Sequence, residues 1–516
     1  MIEAQENKSQ NVIPFLRLDQ EDNVLIAKED IAKGTIAPQW GGELREDVSK
    51  GHKIASTFIA KNAPVKKYNT IIGYATQDIQ PGMWVHSHNM ELGNSTKDYR
   101  FGEDYVQADL IPSAQRAQFQ GIVRKDGQIG TRNHIGIFIT VNCSATVARK
   151  LSAYFDEERL AAYPQVDGVT AFVHHQGCGM EMTGEPMDLL RRTLSGYIRH
   201  PNIAGAVVLS LGCERNNVKR FMEQESLEAG KMLHVITMQD VGGTMSAFDL
   251  GKKAIWSMLE EANKIERQPC SAEHIKVGLQ CGGSDGFSAL SANPALGKAV
   301  DILVRHGGTA ILSETPELYG MEHTLSARAR TKEVGQKFID RMNWWLEYNE
   351  GRDTQINGRV SPGNHAGGIA NIVEKSLGGA KKGGSTGVNE VYEYAYPVTE
   401  HGLVIMDTPG YDPVSATGQI AGGANIICFT TGRGSCFGSY PAPTIKLASH
   451  TGLYERMTGD MDINCGQVID GQKNLDEMGE EIFAKILDIA SGTASKSEAI
   501  GVGEDEFVPW QIGVLA

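Results

Sequence analysis

The sequence lacks any run of the ~18 apolar residues that a membrane span requires, and Met1-Ile2-Glu3-Ala4-Gln5-Glu6-Asn7 has neither a basic start nor an apolar core. No leader peptide and no membrane partner are therefore expected, and the chain reads as cytoplasmic. No two of its eight cysteines form a Cys-x-x-Cys pair. That argues against zinc-ribbon and thioredoxin-type sites and leaves the thiols expected in reduced form. Positive charge is not in surplus: 49 Lys and Arg stand against 63 Asp and Glu, a net charge of −14. A general binder of nucleic acid or anionic membrane needs a basic face, so no nucleic-acid partner is expected. A small anionic substrate stays compatible, because a local group of Arg and Lys can invert the field inside one cleft. A phosphate loop, a dinucleotide fingerprint and the kinase motifs are also missing, so nucleotide chemistry has little support.

What the chain has in excess is glycine, 59 of 516 residues, against an average of ~7%. Tight turns or close backbone approaches are expected. At ~150 residues per domain the length suggests three domains. A short pattern recurs near the start: Asp30-Ile31-Ala32-Lys33-Gly34, Asp47-Val48-Ser49-Lys50-Gly51 and Asp78-Ile79-Gln80-Pro81-Gly82. It sits beside β-rich runs such as Asn23-Val24-Leu25-Ile26-Ala27, which predicts a small all-β module over residues 1–95. Residues 96–118 are polar and without period and read as a linker. Beyond them strands such as Ile135-Gly136-Ile137-Phe138-Ile139-Thr140-Val141 and Ala206-Val207-Val208-Leu209-Ser210-Leu211 alternate with helical spacing, as at Met187, Leu190, Leu194 and Ile198. A second series starts at Ile275-Lys276-Val277-Gly278-Leu279, with helices expected at about 290–306, 324–349, 413–422 and 474–491. The expected class is α/β: the all-β module, then two parallel-sheet α/β domains over 119–268 and 269–516.

In such sheets ligands bind beyond the carboxyl ends of the strands. Those ends carry Asn142-Cys143-Ser144, then His174 through Cys178, Gly212-Cys213-Glu214 and Cys281-Gly282-Gly283-Ser284-Asp285-Gly286. Four cysteines follow strands, three of them beside glycine. Each is either core or part of a site. At the end of the β module, Val85-His86-Ser87-His88-Asn89 would place His86 and His88 on one side of an extended strand, as two imidazoles for one ion or as a solvated pair. His52 follows a repeated turn and is a candidate third ligand. Glu314-Thr315-Pro316-Glu317 follows another strand. A glycine-rich stretch, Ser361-Pro362-Gly363-Asn364-His365-Ala366-Gly367-Gly368, precedes Glu374 and Lys375. Arg433, between Gly432 and Gly434, suits bidentate binding of a carboxylate, or is an ordinary turn arginine.

With these motifs in order, the chain resembles the altronate/galactarate dehydratases from about residue 14 to its C-terminus. The resemblance rests on Lys50-Gly51-His52-Lys53-Ile54-Ala55, His86-Ser87-His88-Asn89, Asp126-Gly127-Gln128-Ile129-Gly130-Thr131-Arg132-Asn133, Leu211-Gly212-Cys213-Glu214, Ser361-Pro362-Gly363-Asn364, Glu374-Lys375-Ser376-Leu377-Gly378 and Thr431-Gly432-Arg433-Gly434. It implies an N-terminal β-clip module of the SAF type. It also implies removal of water from a sugar acid to give a 2-keto-3-deoxy acid, with a divalent metal, iron(II) or manganese. Asp460-Met461-Asp462-Ile463-Asn464 looks closer to the galactarate enzymes and Glu314-Thr315-Pro316-Glu317 to the altronate ones, so both substrates stay open.

On that reading the metal ligands are His86, His88 and His52. The catalytic residues are His174, Glu214 and Lys53. Asp285, Asn364, Lys375, Arg433, Cys178, Cys213 and Cys281 line the substrate site. The ion would stabilise the enediolate formed when the C2 proton leaves, while an acid protonates the departing hydroxyl. The β module is read as a lid or ligand donor, or as a docking surface. The partners expected are a small sugar acid and further copies of the chain in a homo-oligomer. Alternatives are a lyase eliminating another β-substituent, like the sulfolactate sulfo-lyases, and a non-catalytic sugar-acid binder. An iron–sulfur cluster on three of Cys143, Cys178, Cys213 and Cys281 is the rival cofactor.

Overall fold

The computed structural model describes residues 14–37, 42–93, 99–351 and 360–512. The leader reading at residues 1–7 and the linker residues 96–98 lie outside the described residues.

The recurring turns build the N-terminal module. Gly34, Gly51 and Gly82 have φ of 85, 79 and 81°, a conformation that side chains with a Cβ rarely adopt. The first two turns answer each other: Asp47 Oδ1 accepts from Lys33 N and Asp30 Oδ1 from Lys50 N, both at 2.8 Å. A fourth copy, not recognised from the sequence, is Phe58-Ile59-Ala60-Lys61-Asn62, with Asn62 at φ 66° in the glycine place. It pairs with the last turn through Ile59 and Ile79, and Asp78 Oδ1 accepts from Lys61 N at 2.8 Å. The return bond is absent for a chemical reason. Phe58 stands where the acceptor would be, and Pro81 removes the donor N–H. Beside a short pairing of Ile36–Ala37 with Gly42–Glu43, these turns set two larger antiparallel sheets. One is ordered Phe15–Leu16, Val24–Ala27, Lys53–Ala55, Trp84–Val85 and the other Pro64–Lys67, Thr70–Ala75, Met90–Glu91.

The module is not a detached cap. Its buried Val24, Ile59, Val65, Ile72 and Ile79 belong to the same apolar cluster as Val277, Leu279, Leu296 and Leu312 of the C-terminal part. Residues 99–117, expected as a free linker, run along that part, with Gly102 N bonded to Ser326 O at 3.2 Å and Ile111 N to Arg305 O at 2.8 Å.

The central part is a four-stranded parallel sheet ordered Gly168–Phe172, His134–Ile139, Ile203–Ser210, Leu233–Thr237. The chain enters and leaves it side by side, since Gln118–Val123 pairs antiparallel with Gln268–Ser271. The C-terminal part is a seven-stranded parallel sheet. Its order is Val388–Tyr392, Gly402–Met406, Thr309–Leu312, Lys276–Cys281, Ile426–Thr431, Thr444–Ala448, Ile463–Asn464. Phe138, Phe172 and Tyr197 of the central part share a core with Trp345, Val404 and Phe429 of this one. The single helix expected over 324–349 is two, Glu322–Ala327 and Lys332–Tyr348. Ala329 between them bridges to Val388, and the Thr331 side chain caps the second helix at Val334 N.

Candidate active site

The seven-stranded sheet reverses its winding at one point. From Lys276–Cys281 the chain first builds outward through Thr309–Leu312 and Gly402–Met406, then returns to lay Ile426–Thr431 on the other flank. The carboxyl ends of these two strands form the switch point of the sheet, the position at which open α/β sheets place their ligand crevice. Gly283 O accepts from Gly432 N at 3.1 Å and from Arg433 N at 2.9 Å, which ties the two strand ends together. Arg433 is exposed at this rim, and no ion pair engages it among the described residues. Asp285 is buried. Its Oδ1 accepts from Ser288 N and Oγ at 2.8 Å and from Ser449 Oγ at 3.0 Å, and its Oδ2 lies 3.8 Å from His450 Nε2. Burial lowers the His450 pKa, against the pull of Asp285. The run Gly282-Gly283-Ser284-Asp285-Gly286 has a Gly-x-Ser-x-Gly spacing, but Ser284 is buried and bonds no imidazole among the described residues.

The β module closes on this crevice through glycine backbones. A Cβ on Gly286 would stand 2.1 Å from Gly51 O, and one on Gly368 2.4 Å from the same oxygen. Asn364 fixes the loop between them: it forms a capping box with Ser361 and donates from Nδ2 to Ser284 O at 2.8 Å. That close approach carries His52 and Lys53 into the interface. Lys53, 0% exposed, donates to Gly368 O at 2.8 Å and pairs with Glu374 Oε2 at 2.7 Å; Lys67 pairs with Oε1 at 2.8 Å. Burial alone would raise the Glu374 pKa, but the two ammoniums hold it far below the usual carboxylate range. Burial lowers the Lys53 pKa. Lys53 thus serves as a clamp between module and sheet rather than the free catalytic amine expected.

The imidazoles are arranged differently from the expectation. The strand ends at Val85, and residues 86–89 form a turn in which Asn89 Oδ1 accepts from His86 N at 3.0 Å. His86 points inward and is buried. His88 is exposed and packs tilted against Trp84, ring centroids 4.8 Å apart. His52 is spent: Trp84 Nε1 donates to its Nδ1 at 3.0 Å, so its Nε2 carries the proton and donates to Ala366 O at 3.2 Å. His86 Nδ1 lies 2.9 Å from Ser87 Oγ and its Nε2 is buried without a partner; in the tautomer whose Nδ1 donates to that hydroxyl, Nε2 carries the lone pair. Burial, with Lys53 and His52 nearby, pushes its pKa down to about 4. Across the interface stands His365, 5.5 Å away between ring centroids. Its Nδ1 donates to Ile369 O at 3.0 Å, leaving Nε2 the lone-pair nitrogen. By donor chemistry the pair fitting a divalent ion is His86 and His365, not His86, His88 and His52.

A second polar set lies at the ends of Lys276–Cys281 and Thr309–Leu312. The ligand atoms of Cys281, Glu314 and Glu317 lie within 4.8 Å of one another. Lys382 pairs with Glu314 at 3.1 Å and Lys375 with Glu317 at 2.7 Å, so these carboxylates are already matched charge for charge. Glu314 sits at φ 65°, an uncommon backbone state for a residue of its size. Burial pushes the Cys281 thiol up to about 12, so it is a protonated core thiol rather than a substrate contact. Beside them Asp412 reaches the Gly282 turn. Burial and the two glutamates push its pKa up to about 8. Sequence reasoning missed Asp412, Lys67, Lys382 and the role of His365. Asp412-Pro413 follows the strand Gly402–Met406, and that position was the available signal.

His174 and Glu214 are not in this crevice. They lie at the carboxyl end of the central sheet and hold its loops. His174 donates from Nε2 to Ile139 O at 2.9 Å and accepts at Nδ1 from Gln176 N at 3.1 Å. Burial pushes its pKa down to about 4. Glu214 accepts from Thr140 Oγ1 at 2.7 Å, Gly212 N at 2.6 Å and Ser210 Oγ. With both ring nitrogens and both carboxylate oxygens engaged, neither is poised as an acid or base. Cys178 and Cys213 are exposed in the same loops.

Three family models cover nearly the whole chain: the altronate/galactarate dehydratase SAF domain over residues 13–93, the D-galactarate dehydratase/altronate hydrolase second domain over 121–263, and the D-galactarate/altronate dehydratase C-terminal domain over 272–515. The altronate dehydratase of Bacillus subtilis (strain 168) is 35% identical over 93% of this chain and 95% of its own length. The altronate dehydratase of Escherichia coli (strain K12) is 34% identical over 94% and 96%. The galactarate dehydratase (L-threo-forming) of the same organism is 35% identical over 93% of each chain. With a SAF-type β module fused to two parallel-sheet units, and full-length relatives above 30% identity, the chain belongs to the altronate/galactarate dehydratase family of hydro-lyases.

Proposed function

We propose that this chain removes water from a sugar acid of the altronate or galactarate type, giving a 2-keto-3-deoxy acid, in the crevice between the β module and the C-terminal sheet. The observation that carries the reading is the pair His86 and His365, one from each side of the interface, with His86 Nε2 buried and unpartnered. Iron(II) or manganese suits such a pair, since neutral imidazole is the ligating form and burial keeps His86 neutral. When bound, the ion would supply Lewis acidity for the charge that develops as a base takes the C2 proton. Arg433 offers an exposed guanidinium to the substrate carboxylate. Asp412, with its pKa near 8, keeps a proton at neutrality and gives it to the departing hydroxyl. Asp285 and Asn364 hold the two loops that shape the polyol end of the crevice.

The test is to incubate the chelated enzyme with altronate and with galactarate, then add back iron(II), manganese or magnesium, and follow 2-keto acid. We expect one of the two acids to be turned over, with activity lost on chelation and restored by iron or manganese. Full velocity after thorough chelation removes the metal from the reading, and silence with both acids under every metal removes the substrate.

A further inference from the structure

Four of the cysteines are exposed, and three of these, Cys143, Cys178 and Cys213, share one end of the central sheet. They follow His134–Ile139, Gly168–Phe172 and Ile203–Ser210, which are parallel neighbours in that sheet. Phe138 is level with Phe172 and Ile139 with Leu209, so the three cysteines follow neighbouring strand ends that lie side by side. Their loops are bonded to one another. Asn142 N donates to Gln176 O at 3.1 Å, Asn216 N to Gly177 O at 3.0 Å, and Asn216 Nδ2 to Thr140 O at 3.1 Å. Gly177 is pressed against the first loop, where a Cβ would meet Thr140 O at 2.3 Å. His174 and Glu214 brace the same loops from beneath.

Around the thiols stand hydrogen-bond donors and open space. Cys143 stands two residues before the helix Ala145–Tyr154, with Ser144 at its N-cap, and that end of the helix favours negative charge. Gln239 Nε2 donates to Cys213 Sγ at 3.4 Å. The Oγ of Ser144, beside Cys143, is buried without a partner. Gly179, next to Cys178, has open space where a side chain would stand.

We propose that Cys143, Cys178 and Cys213 hold an iron–sulfur cluster through three thiolates, with one iron left open. Assembly forms three iron–thiolate bonds as three thiol protons leave, with ferrous iron and sulfide supplied to the protein and no change in the thiols' oxidation state. A single ion fits less well. Among the described residues the set whose ligand atoms close within 4.8 Å is Cys281, Glu314 and Glu317. The three exposed thiols form no such set, and several irons bridged by sulfide span more space than one ion does. Cys281 is excluded as a member, being buried against Glu314 under the other sheet. The proposal shares no residue with the crevice and does not rest on the dehydratase reading.

The test is anaerobic reconstitution of the full chain with ferrous iron and sulfide, followed by visible absorption and analysis of iron and acid-labile sulfide. We expect iron and sulfide in equal amounts with a broad visible band. Cys143→Ser, Cys178→Ser or Cys213→Ser should each lose most of that band, and Cys436→Ser should keep it. Alkylation with mass spectrometry gives a second readout without any variant: in the reconstituted protein the three thiols should be protected while Cys436 reacts. A sulfide-free protein, a single bound ion without sulfide, or equal alkylation of all four exposed thiols would each overturn the proposal.

Discussion

His86 and His88, two residues apart, show how local geometry sorts identical side chains. Because Asn89 pulls the backbone into a turn, His86 faces the sheet and His88 faces solvent on Trp84. Substituting His86→Ala or His365→Ala should therefore lower kcat roughly 10–100-fold, as loss of a metal-site group does. His88→Ala should leave it within a factor of two or so. Steady-state rates with a melting curve for each variant check this, and equal losses at all three positions would contradict it. Glu374 makes a different argument. Among the described residues it alone pairs with Lys53 and Lys67, at almost no exposure. Glu374→Gln strands two buried cations and should destabilise by about 3–5 kcal/mol. Lys67→Met leaves one matched pair and should do less harm. Urea unfolding of the two variants ranks them.

At the scale of elements, the join between module and sheet depends on backbones meeting without side chains. Gly51, Gly286 and Gly368 come from three separate stretches of chain, and any Cβ at the last two strikes Gly51 O. Gly368→Ala should push the module off its seat, at about 1–3 kcal/mol, and raise hydrogen exchange in the strand Lys53–Ala55. Gly459→Ala, where a Cβ meets nothing within 4 Å, is the control. A Gly368→Ala protein with unchanged exchange would mean that the join rests on the lysine clamp alone. The loops beyond the central sheet follow the same logic, with Gly177 pressed against Thr140 O and His174 and Glu214 adding polar struts.

For the molecule as a whole, burial of neutral histidines sets an acid limit. His174 and His200 have pKa values pushed down to about 4 and about 3 by burial, against ~6.5 in an unfolded chain. Below that value the unfolded chain binds more protons than the folded one. Stability should therefore fall as pH drops from about 6.5 toward 4, and it should be full above 6.5. Melting temperature against pH measures this, and His174→Ala should flatten part of the slope. Turnover has its own limit on the other side. With Asp412 as the proton donor, kcat should fall as pH rises through about 8, and Asp412→Asn should remove that limb along with most of the rate. The shared core that fuses the module to the C-terminal sheet makes acid unfolding of the two parts one event.

The sequence by itself determined the kind of elements and their order. Three Asp-to-Gly turns announced the β module because a residue free of a Cβ adopts those φ values most readily, and the fourth escaped because Asn62 and Pro81 broke the spelling while keeping the shape. Apolar runs at strand period fixed the parallel sheets, although short or half-buried strands such as Leu233–Thr237 and Ile463–Asn464 carried too weak a pattern to be read. The family was legible too, since its motifs are continuous stretches of chain. What only the tertiary structure decided was which polar groups have partners. Lys53 and Glu374 are 321 residues apart and His52 and Ala366 314, so nothing local reveals that two expected site residues are spent. His86 and His365 likewise meet only because three glycine backbones let distant segments touch. A side chain's chemistry is free or consumed according to what folding places against it, and that contact is set by the whole chain's packing rather than by its neighbours in sequence.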